Sequence, residues 1–286
     1  MEIIILIMLV KKIYIWLKFR WKSIQKFIPY PLNEVLEKIF KVEDPYTFKG
    51  WQMTTCQATP WGEDVDNLLV KANTAIKERF SFTISHRKAM MDELLWRHWN
   101  VSYAIRHAIE FVDKKDLDFV ECGVADGITC YIAISELNRQ LKMRKINNFR
   151  MHLYDSWGPM RAKELIGDEI RKINKFEGLS LERTKKNLSE FCDYTIYHQG
   201  YIPESLNKPP PPPSSIAYLH IDLNSSKPTR AVLDLFYPRL LKGGVILFDD
   251  YGRKGYEYSK GIVNEFFKDK PGILLIMPTG QAIYYR

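Results

Sequence analysis

Acidic side chains stand at the ends of the fourth and fifth predicted strands. The fourth ends in His220, Asp222 and Asn224, which point the same way because side chains alternate along a strand. The fifth ends in Asp249 and Asp250. Carboxylates at neighbouring strand ends repel one another unless a cation lies between them, and oxygen ligands select magnesium, calcium or manganese over zinc. We therefore predict a metal site at Asp222, Asp249 and Asp250. The alternative is that Asp249 and Asp250 only cap the strand and lead into a solvent-exposed loop.

A loop with two glycines follows the first predicted strand and leads directly into a helix. It reads ECGVADG, from Glu121 to Gly127. Gly123 suits a tight turn, and Gly127 allows a ligand to approach the backbone at the helix start. The spacing G-x-x-x-G lacks the middle glycine of a dinucleotide fingerprint, so no pyrophosphate cradle is expected. The loop fits the amino-acid end of S-adenosylmethionine, with Glu121 or Asp126 available for its ammonium group.

The remaining cofactor contacts are predicted at the ends of the second and third strands. Asp155 closes the second strand, where a carboxylate can accept two hydrogen bonds from a ribose diol, and Ser156 follows it. The third strand ends at Gln199, Gly200 and Tyr201, where contacts to the adenine edge are expected. These five residues complete the predicted site for S-adenosylmethionine.

Short apolar segments alternate with helical segments from residue 117 onwards, which predicts a mostly parallel sheet with helices on both faces. The last two strands are separated only by Pro278, Thr279 and Gly280, so they must form an antiparallel hairpin. This order is the pattern of the class I S-adenosylmethionine-dependent methyltransferases, an α/β fold with a Rossmann-like sheet of seven strands. We place strands at 117–123, 149–155, 194–199, 216–222, 244–249, 273–277 and 281–285, and helices at about 128–142, 160–190 and 228–241.

The composition of the chain and its pattern of predicted helices and strands indicate three parts. They are a basic apolar tail at 1–30, a helical lid region at 31–116 and an S-adenosylmethionine-binding methyltransferase domain at 117–286. Within the lid region, residues 87–111 carry apolar side chains at three- and four-residue steps, which indicates amphipathic helices. The aromatic face of 94–111 could pair subunits, so we expect a homo-oligomer.

The net charge of +8 is concentrated in the tail. Residues 1–30 carry six lysines or arginines against one glutamate, so the rest of the chain has a net charge of only +3. A nucleic-acid groove needs a basic stripe on the folded body, and this distribution argues against nucleic-acid binding. Four scattered cysteines without a C-x-x-C pair indicate a reducing compartment and no structural zinc, so a cytoplasmic location is expected.

The tail itself allows several interpretations. Its uninterrupted apolar run at 3–10 is much shorter than the roughly 20 residues that span a bilayer. Lysines interleaved with Trp16, Phe19 and Trp21 suit a helix that lies on an anionic membrane surface. Packing against the body or a partner subunit is one alternative, and an uncleaved anchor is another.

Several segments resemble the macrocin O-methyltransferase family, enzymes that methylate sugar hydroxyls in natural products. The resemblance spans residues 45–286. It implies magnesium-dependent transfer of a methyl group from S-adenosylmethionine to a hydroxyl, with Asp222, Asp249 and Asp250 as the metal ligands. The segments that carry it are ECGVADGIT, LYDSWGPM, AYLHIDLNSSKPTRAVLDLFYPRLLKGGVILFDDYG and the ending TGQAIYYR, with further similarity at GWQMTTCQATPW and SHRKAMMDELLWRH.

Two positions depart from the family pattern. The glycine loop of the family usually carries an arginine where this chain has Asp126. The fourth strand of the family commonly ends in D-G-D, where this chain has Asp222, Leu223 and Asn224. Asn224 keeps an oxygen ligand but removes a negative charge, which weakens the expected attraction for the metal.

The expected reaction needs an activated hydroxyl and a base. Bound magnesium would lower the pKa of the acceptor hydroxyl and hold it against the methyl carbon. Asp222, Asp249 or His220 could take the proton. A sugar of a natural product or surface glycan is the expected acceptor, although a catechol would chelate the metal equally well. A metal-independent small-molecule methyltransferase and a non-catalytic docking protein of the same fold are the alternatives.

Overall fold

The computed structural model describes residues 63–83, 88, 91 and 94–286. The chain divides into two units, Met1–Gly50 and Trp51–Arg286, and all of the described residues belong to the second unit. The predicted tail lies outside the described residues, and so does the first part of the predicted lid region. The division into three parts therefore stays a prediction.

Seven strands form one mixed sheet, in the order β3-β2-β1-β4-β5-β7-β6. The first five strands in the chain run parallel to one another, while β7 pairs antiparallel with both β5 and β6. The predicted Rossmann-like sheet with an antiparallel C-terminal hairpin is confirmed. The strands are β1 (Asp116–Cys122), β2 (Asn148–Asp155), β3 (Thr195–Gln199), β4 (Ile216–Ile221), β5 (Leu240–Phe248), β6 (Ile273–Ile276) and β7 (Ala282–Tyr285).

Six α-helices accompany this sheet within the described residues. They are α1 (Glu63–Arg79), α2 (Leu95–Phe111), α3 (Ile128–Lys142), α4 (Leu181–Asn187), α5 (Ser226–Phe236) and α6 (Glu257–Phe267). The bounds of α3 match the prediction, whereas α6 has no counterpart among the predicted helices. Across residues 63–83 and 94–286, no helix combines the length and the apolar character that crossing a bilayer requires.

Two of the predicted helices are wrong in extent. The single helix expected at 160–190 is a series of short turns, among which only α4 is an α-helix. Gly167 and Gly178 have φ of 49° and 87°, and an α-helix cannot continue through such residues. The helix expected to reach 241 ends at Phe236. Pro238 follows in a short 3-10 turn, and it lacks the N–H group that a continuing α-helix would use as a hydrogen-bond donor at that position.

The sheet separates two apolar cores. Ile105 of α2 and Ile132 of α3 belong to the core on one face, while Phe236 of α5 and Phe267 of α6 belong to the core on the other. Every residue of β4 is buried, because this central strand is covered on both faces. Helices thus cover the faces of the sheet and leave its carboxyl edge for a ligand site.

Candidate active site

The register of the strands brings the predicted site residues to one edge of the sheet. Cys122 in β1 lies opposite Ile221 in β4, and Ile221 lies opposite Phe248 in β5. Backbone bonds continue this ladder by one step: the Asp222 N–H donates to the Cys122 carbonyl at 2.8 Å, and the Asp249 N–H donates to the Ile221 carbonyl at 2.9 Å. The loops after β1, β4 and β5 therefore start side by side.

Asp222, Asp249 and Asp250 form an acid cluster at this edge. One ligand atom from each carboxylate lies within 4.8 Å of the other two. Asp249 is buried, and the other two are half-buried. A set of oxygen donors alone suits a hard divalent cation such as Mg²⁺, so the three residues fit the metal that the sequence implies. Elsewhere among the described residues, no other His, Cys, Asp or Glu side chains converge in this way.

Two side chains from distant elements hold the carboxylate of Asp249. Arg97 of α2 forms an ion pair with its Oδ2. Gln281, just before β7, donates from Nε2 to its Oδ1 at 2.9 Å. Both oxygens of this buried carboxylate are therefore engaged by groups that lie far away in sequence.

Asn224 bridges the other two acids of the cluster. Its N–H donates to Asp250 Oδ2 at 2.7 Å, and its Nδ2 donates to Asp222 Oδ1 at 3.1 Å. Its own Oδ1 accepts from Lys175 Nζ and from the Tyr256 hydroxyl, each at 2.7 Å. Asn224 has a φ of 57°, a left-handed conformation that asparagine tolerates better than most residues. The amide thus links the acids to a lysine.

Positive charges surround the acid cluster without removing its internal repulsion. Burial, followed by the charge of Asp222, raises the pKa of Asp250 to about 7, although Lys175 and Lys172 oppose the shift. Lys172 donates to the Asn224 carbonyl at 2.7 Å, and its own burial lowers its pKa. A divalent cation placed among the carboxylates would relieve the repulsion that these lysines leave in place.

Positive φ angles shape the glycine loop. They are 92° at Gly123, 50° at Ala125 and 87° at Gly127. A Cβ on Gly123 would lie 1.8 Å from the carbonyl oxygen of Asp222, so the ends of β1 and β4 meet only because this residue is glycine. A Cβ on Gly127 would lie 3.1 Å from the Leu188 side chain. Both glycines therefore permit close packing as well as the turn.

Asp155 holds the glycine loop from the end of β2. Its Oδ2 accepts from the N–H groups of Val124 at 2.7 Å and Ala125 at 2.8 Å, and its Oδ1 accepts from the Trp157 N–H at 2.7 Å. Burial nevertheless raises the pKa of Asp155, because loss of solvation outweighs these bonds. Since a carboxylate oxygen accepts about two hydrogen bonds, Oδ1 can still take one ribose hydroxyl. The ribose contact stays a prediction.

Glu121 and His220 form a buried pair behind the acid cluster. Each is 1% exposed, and Glu121 Oε1 lies 3.6 Å from His220 Nδ1, beyond hydrogen-bond distance. None of their four polar atoms has a hydrogen-bond partner among the described residues. Burial raises the pKa of Glu121, and the charges of Asp222 and Asp155 add to this shift, although His220 opposes it. This carboxyl group is an unsatisfied acceptor at the predicted position of the cofactor's ammonium.

Asp126 has a different environment. Its two carboxylate oxygens accept from the N–H of Thr83 at 2.8 Å and from the hydroxyl of Thr83 at 2.6 Å. Arg183 Nη1 lies 3.7 Å from Asp126 Oδ1, and Asp126 is 4% exposed. It therefore joins the glycine loop to the chain that follows α1. Of the two predicted ammonium ligands, Glu121 has the unengaged carboxyl group.

The predicted contacts after β2 and β3 line the neighbouring part of the edge. Ser156 is half-buried and Gln199 is exposed. Gly200 has a φ of 143°, which turns the chain out of β3. The ring of Tyr201 is covered by the Arg161 guanidinium, 3.3 Å from the ring centroid. The contacts of these residues with the cofactor stay predictions.

Five residues of the site were not identified from the sequence: Arg97, Trp157, Lys172, Lys175 and Gln281. Arg97, Trp157 and Gln281 lie in segments that resemble the family, but the resemblance attached no role to them. The two lysines lie in a segment predicted as a helix, where their real partners could not be recognised. Only the tertiary contacts show what these residues do.

Comparison with a known family decides the class of the protein. The family described as Macrocin-O-methyltransferase (TylF) matches residues 100–274. The chain belongs to the macrocin O-methyltransferase family. It is an S-adenosylmethionine-dependent O-methyltransferase, as the sequence resemblance implied. The matched region contains the glycine loop, Asp155 and the whole acid cluster.

NovP and CalS11 are among the solved structures that share the fold. The O-methyltransferase NovP aligns with a TM-score of 0.62 and 17% identity, over 78% of this chain and 98% of NovP. CalS11, a calicheamicin methyltransferase, aligns with a TM-score of 0.51 and 15% identity, over 82% of this chain and 96% of CalS11. At these identities the likeness concerns the fold. Among curated proteins, none matches this sequence.

Proposed function

We propose that this methyltransferase acts on a sugar hydroxyl and uses a Mg²⁺ ion held by Asp222, Asp249 and Asp250. The observation that carries the proposal is the convergence of three carboxylates within 4.8 Å, beside the glycine loop. Three adjacent acids cost electrostatic free energy in the folded protein, and a divalent cation turns that cost into binding energy. The family match supports the methyl transfer, and the donor set supports the metal.

When bound, S-adenosylmethionine supplies the sulfonium methyl group and Mg²⁺ supplies the charge that acidifies an acceptor hydroxyl. The chain's own residues arrange the reactants. Asp155 fixes the backbone of the glycine loop through Val124 and Ala125. Glu121 offers its carboxyl group, which accepts no hydrogen bond from the described residues, to the ammonium of the cofactor. These contacts orient the cofactor, and orientation is a large part of the rate enhancement of a group transfer.

Among the three predicted bases, Asp222 is best placed to receive the proton of the acceptor. It is half-buried at the edge of the sheet, and its Oδ1 accepts a hydrogen bond from the neutral side-chain amide of Asn224. Asp249 is 5% exposed with both oxygens engaged. His220 is 1% exposed and lies in β4, two residues before Asp222. We therefore assign proton acceptance to Asp222 and a supporting role to the other two.

The acceptor that we propose is a sugar of a natural product or of a surface glycan. The family description, Macrocin-O-methyltransferase, and the name of CalS11, a calicheamicin methyltransferase, support a small-molecule acceptor of this kind. A cytoplasmic location and contact of residues 1–30 with a membrane surface are part of the proposal. So is a homo-oligomer, which the exposed rings of Trp96, Tyr103 and Phe111 along α2 support.

The ion pair between Arg97 and Asp249 favours a second candidate function. A guanidinium on this carboxylate, with Lys172 and Lys175 beside the other acids, offsets part of the negative charge of the cluster without a metal. The enzyme would then be a metal-independent O-methyltransferase that depends on positioning alone. This candidate predicts methyl transfer that is insensitive to a chelator.

Calorimetric titrations separate these proposals. S-adenosylmethionine and then MgCl₂ are titrated into the wild type, into Asp249→Asn and into Asp234→Asn. Asp234 is an exposed partner of Arg230 on α5, so its variant removes the same charge away from the site. We expect cofactor binding in all three proteins and a Mg²⁺ heat that only Asp249→Asn loses. Cofactor binding without any Mg²⁺ heat would support the metal-independent enzyme. Absence of cofactor binding in the wild type would contradict both candidates.

A further inference from the structure

A buried chain of neutral groups ends on one oxygen of Asp249. Asn100 of α2 donates from Nδ2 to Gln281 Oε1 at 2.8 Å and to Thr279 Oγ1 at 3.1 Å. Thr279 donates from its hydroxyl to the same Gln281 Oε1 at 2.9 Å. Gln281 in turn donates from Nε2 to Asp249 Oδ1 at 2.9 Å. Asn100 is 2% exposed and Gln281 is 1% exposed, so water cannot replace these bonds at low cost.

This chain determines which end of the Gln281 amide faces the acid. Its Oε1 already accepts two hydrogen bonds, from Asn100 and Thr279. Turning the amide over would place Nε2 against the Asn100 donor and Oε1 against the Asp249 carboxylate. A donor would then face a donor, and an acceptor would face an acceptor, in a buried site. Nε2 therefore stays directed at Asp249.

A neutral donor has a particular advantage at this position. It fixes the direction of the Asp249 carboxylate but leaves its negative charge intact, whereas a cation such as Arg97 cancels that charge. A carboxylate attracts a cation most strongly when its direction is fixed and its negative charge is not cancelled by another cation. Hydrogen-bond partners behind a metal ligand typically change metal affinity by about 10- to 100-fold when they are removed.

We propose that Gln281, held by Asn100 and Thr279, is a positioning residue that aims the Asp249 carboxylate at the bound cation. The inference rests on the proposed magnesium-dependent function. It also assigns a role to the β6–β7 turn, since Thr279 and Gln281 lie between these antiparallel strands. The C-terminal hairpin thereby contributes to the metal site from outside the two strands that carry the acids.

The test uses two matched substitutions, Gln281→Met and Gln140→Met. Methionine has nearly the volume of glutamine but lacks the donor. Gln140 is 7% exposed on α3 and donates from Nε2 to Glu136 Oε1 at 2.6 Å, so it forms the same kind of bond at another buried carboxylate. The full-length protein is titrated with MgCl₂ and with S-adenosylmethionine by calorimetry, and its thermal unfolding is followed by circular dichroism.

We expect both substitutions to lower the melting temperature, and only Gln281→Met to raise the Mg²⁺ dissociation constant, by about 10- to 100-fold. The dissociation constant of S-adenosylmethionine should change by less than about threefold in either variant. An unchanged Mg²⁺ constant in Gln281→Met would overturn the proposal. Equal weakening in Gln140→Met would overturn it too, because a general loss of stability would then explain the effect.

A second variant covers the case in which Gln281→Met does not fold. Thr279→Val removes one of the two donors to Gln281 Oε1 and keeps the shape of the side chain. It should weaken Mg²⁺ binding in the same direction, and no change would count against the positioning role. If the wild type gives no Mg²⁺ heat while it binds S-adenosylmethionine, the proposed metal dependence fails, and this inference fails with it.

Discussion

Replacement of Gly123 by alanine should lower the stability of the protein by more than the cost of placing alanine at a positive φ, because the new side chain would also overlap the junction between β1 and β4. The new Cβ would lie 1.8 Å from the carbonyl oxygen of Asp222, although real Cβ contacts almost never fall below 3.0 Å. The obstacle is backbone, which cannot rotate away as a side chain can. The two strand ends would have to separate by about 1 Å, which strains the 2.8 Å bond between the Asp222 N–H and the Cys122 carbonyl.

Two other glycines separate the contributions to this effect. Gly255 has a φ of 90°, but nothing lies within 4 Å of the position that a Cβ would take there, so Gly255→Ala measures the conformational cost alone, about 1–2 kcal/mol. Gly261 lies in α6 with ordinary φ and open space, so Gly261→Ala should stabilise the protein by up to about 1 kcal/mol. For Gly123→Ala we add about 1–3 kcal/mol for the backbone overlap and expect a total loss of about 2–5 kcal/mol.

Urea unfolding of the three variants, followed by circular dichroism, measures these free energies. Because the overlap falls on Asp222, Gly123→Ala should also weaken Mg²⁺ binding, which Gly255→Ala should leave unchanged. The reasoning is refuted if Gly123→Ala loses no more stability than Gly255→Ala. Such a result would mean that the junction is looser than the contact indicates.

Three further substitutions test other parts of the account. Trp157→Phe removes the hydrogen bonds that Nε1 donates to Thr184 Oγ1 at 2.9 Å and to the Ala125 carbonyl of the glycine loop at 3.2 Å. We therefore expect about 1 kcal/mol lower stability and about fivefold weaker binding of S-adenosylmethionine in calorimetry, and unchanged binding would contradict a role of the indole in holding the loop. Burial holds the pKa of His198 at about 4, so the unfolded chain takes up the proton first and stability falls as pH drops from 6.5 towards 4. His198→Phe should remove this loss of stability, which is worth up to about 3 kcal/mol. If urea unfolding gives the same dependence on pH for the variant and the wild type, His198 is not the cause of the loss. Asn224→Asp places a fourth carboxylate against Asp222 Oδ1, which now accepts an amide N–H at 3.1 Å. It should destabilise the chelator-treated protein by about 1–2 kcal/mol and tighten Mg²⁺ binding, and weaker binding would show that the amide is needed.

The sheet and the acid cluster could be predicted because their signals are local. Each strand is a short apolar run, and parallel strands bring their carboxyl ends to one edge, so Asp222 and Asp249 had to be neighbours. The turns between 160 and 180 were missed because the positive φ of Gly167 and Gly178 leaves only a weak trace in the sequence.

The partners of the cluster could not be predicted, because each comes from a distant segment. Arg97 and Gln281 reach Asp249 from α2 and from the C-terminal hairpin, and no spacing rule connects residues so far apart. Asp126 shows the same limit. Its position in the glycine loop suggested an ammonium contact, whereas its hydrogen bonds go to Thr83, beyond the end of α1.

The central claim is that the three carboxylates hold a divalent cation beside the cofactor. Crystals grown with S-adenosylmethionine and Mn²⁺, measured at the manganese absorption edge, test it most directly. We predict one anomalous peak about 2.2 Å from an oxygen of each of Asp222, Asp249 and Asp250, with Arg97 moved off Asp249. Bound S-adenosylmethionine with no peak at these acids, and with the Arg97 ion pair intact, would contradict the claim.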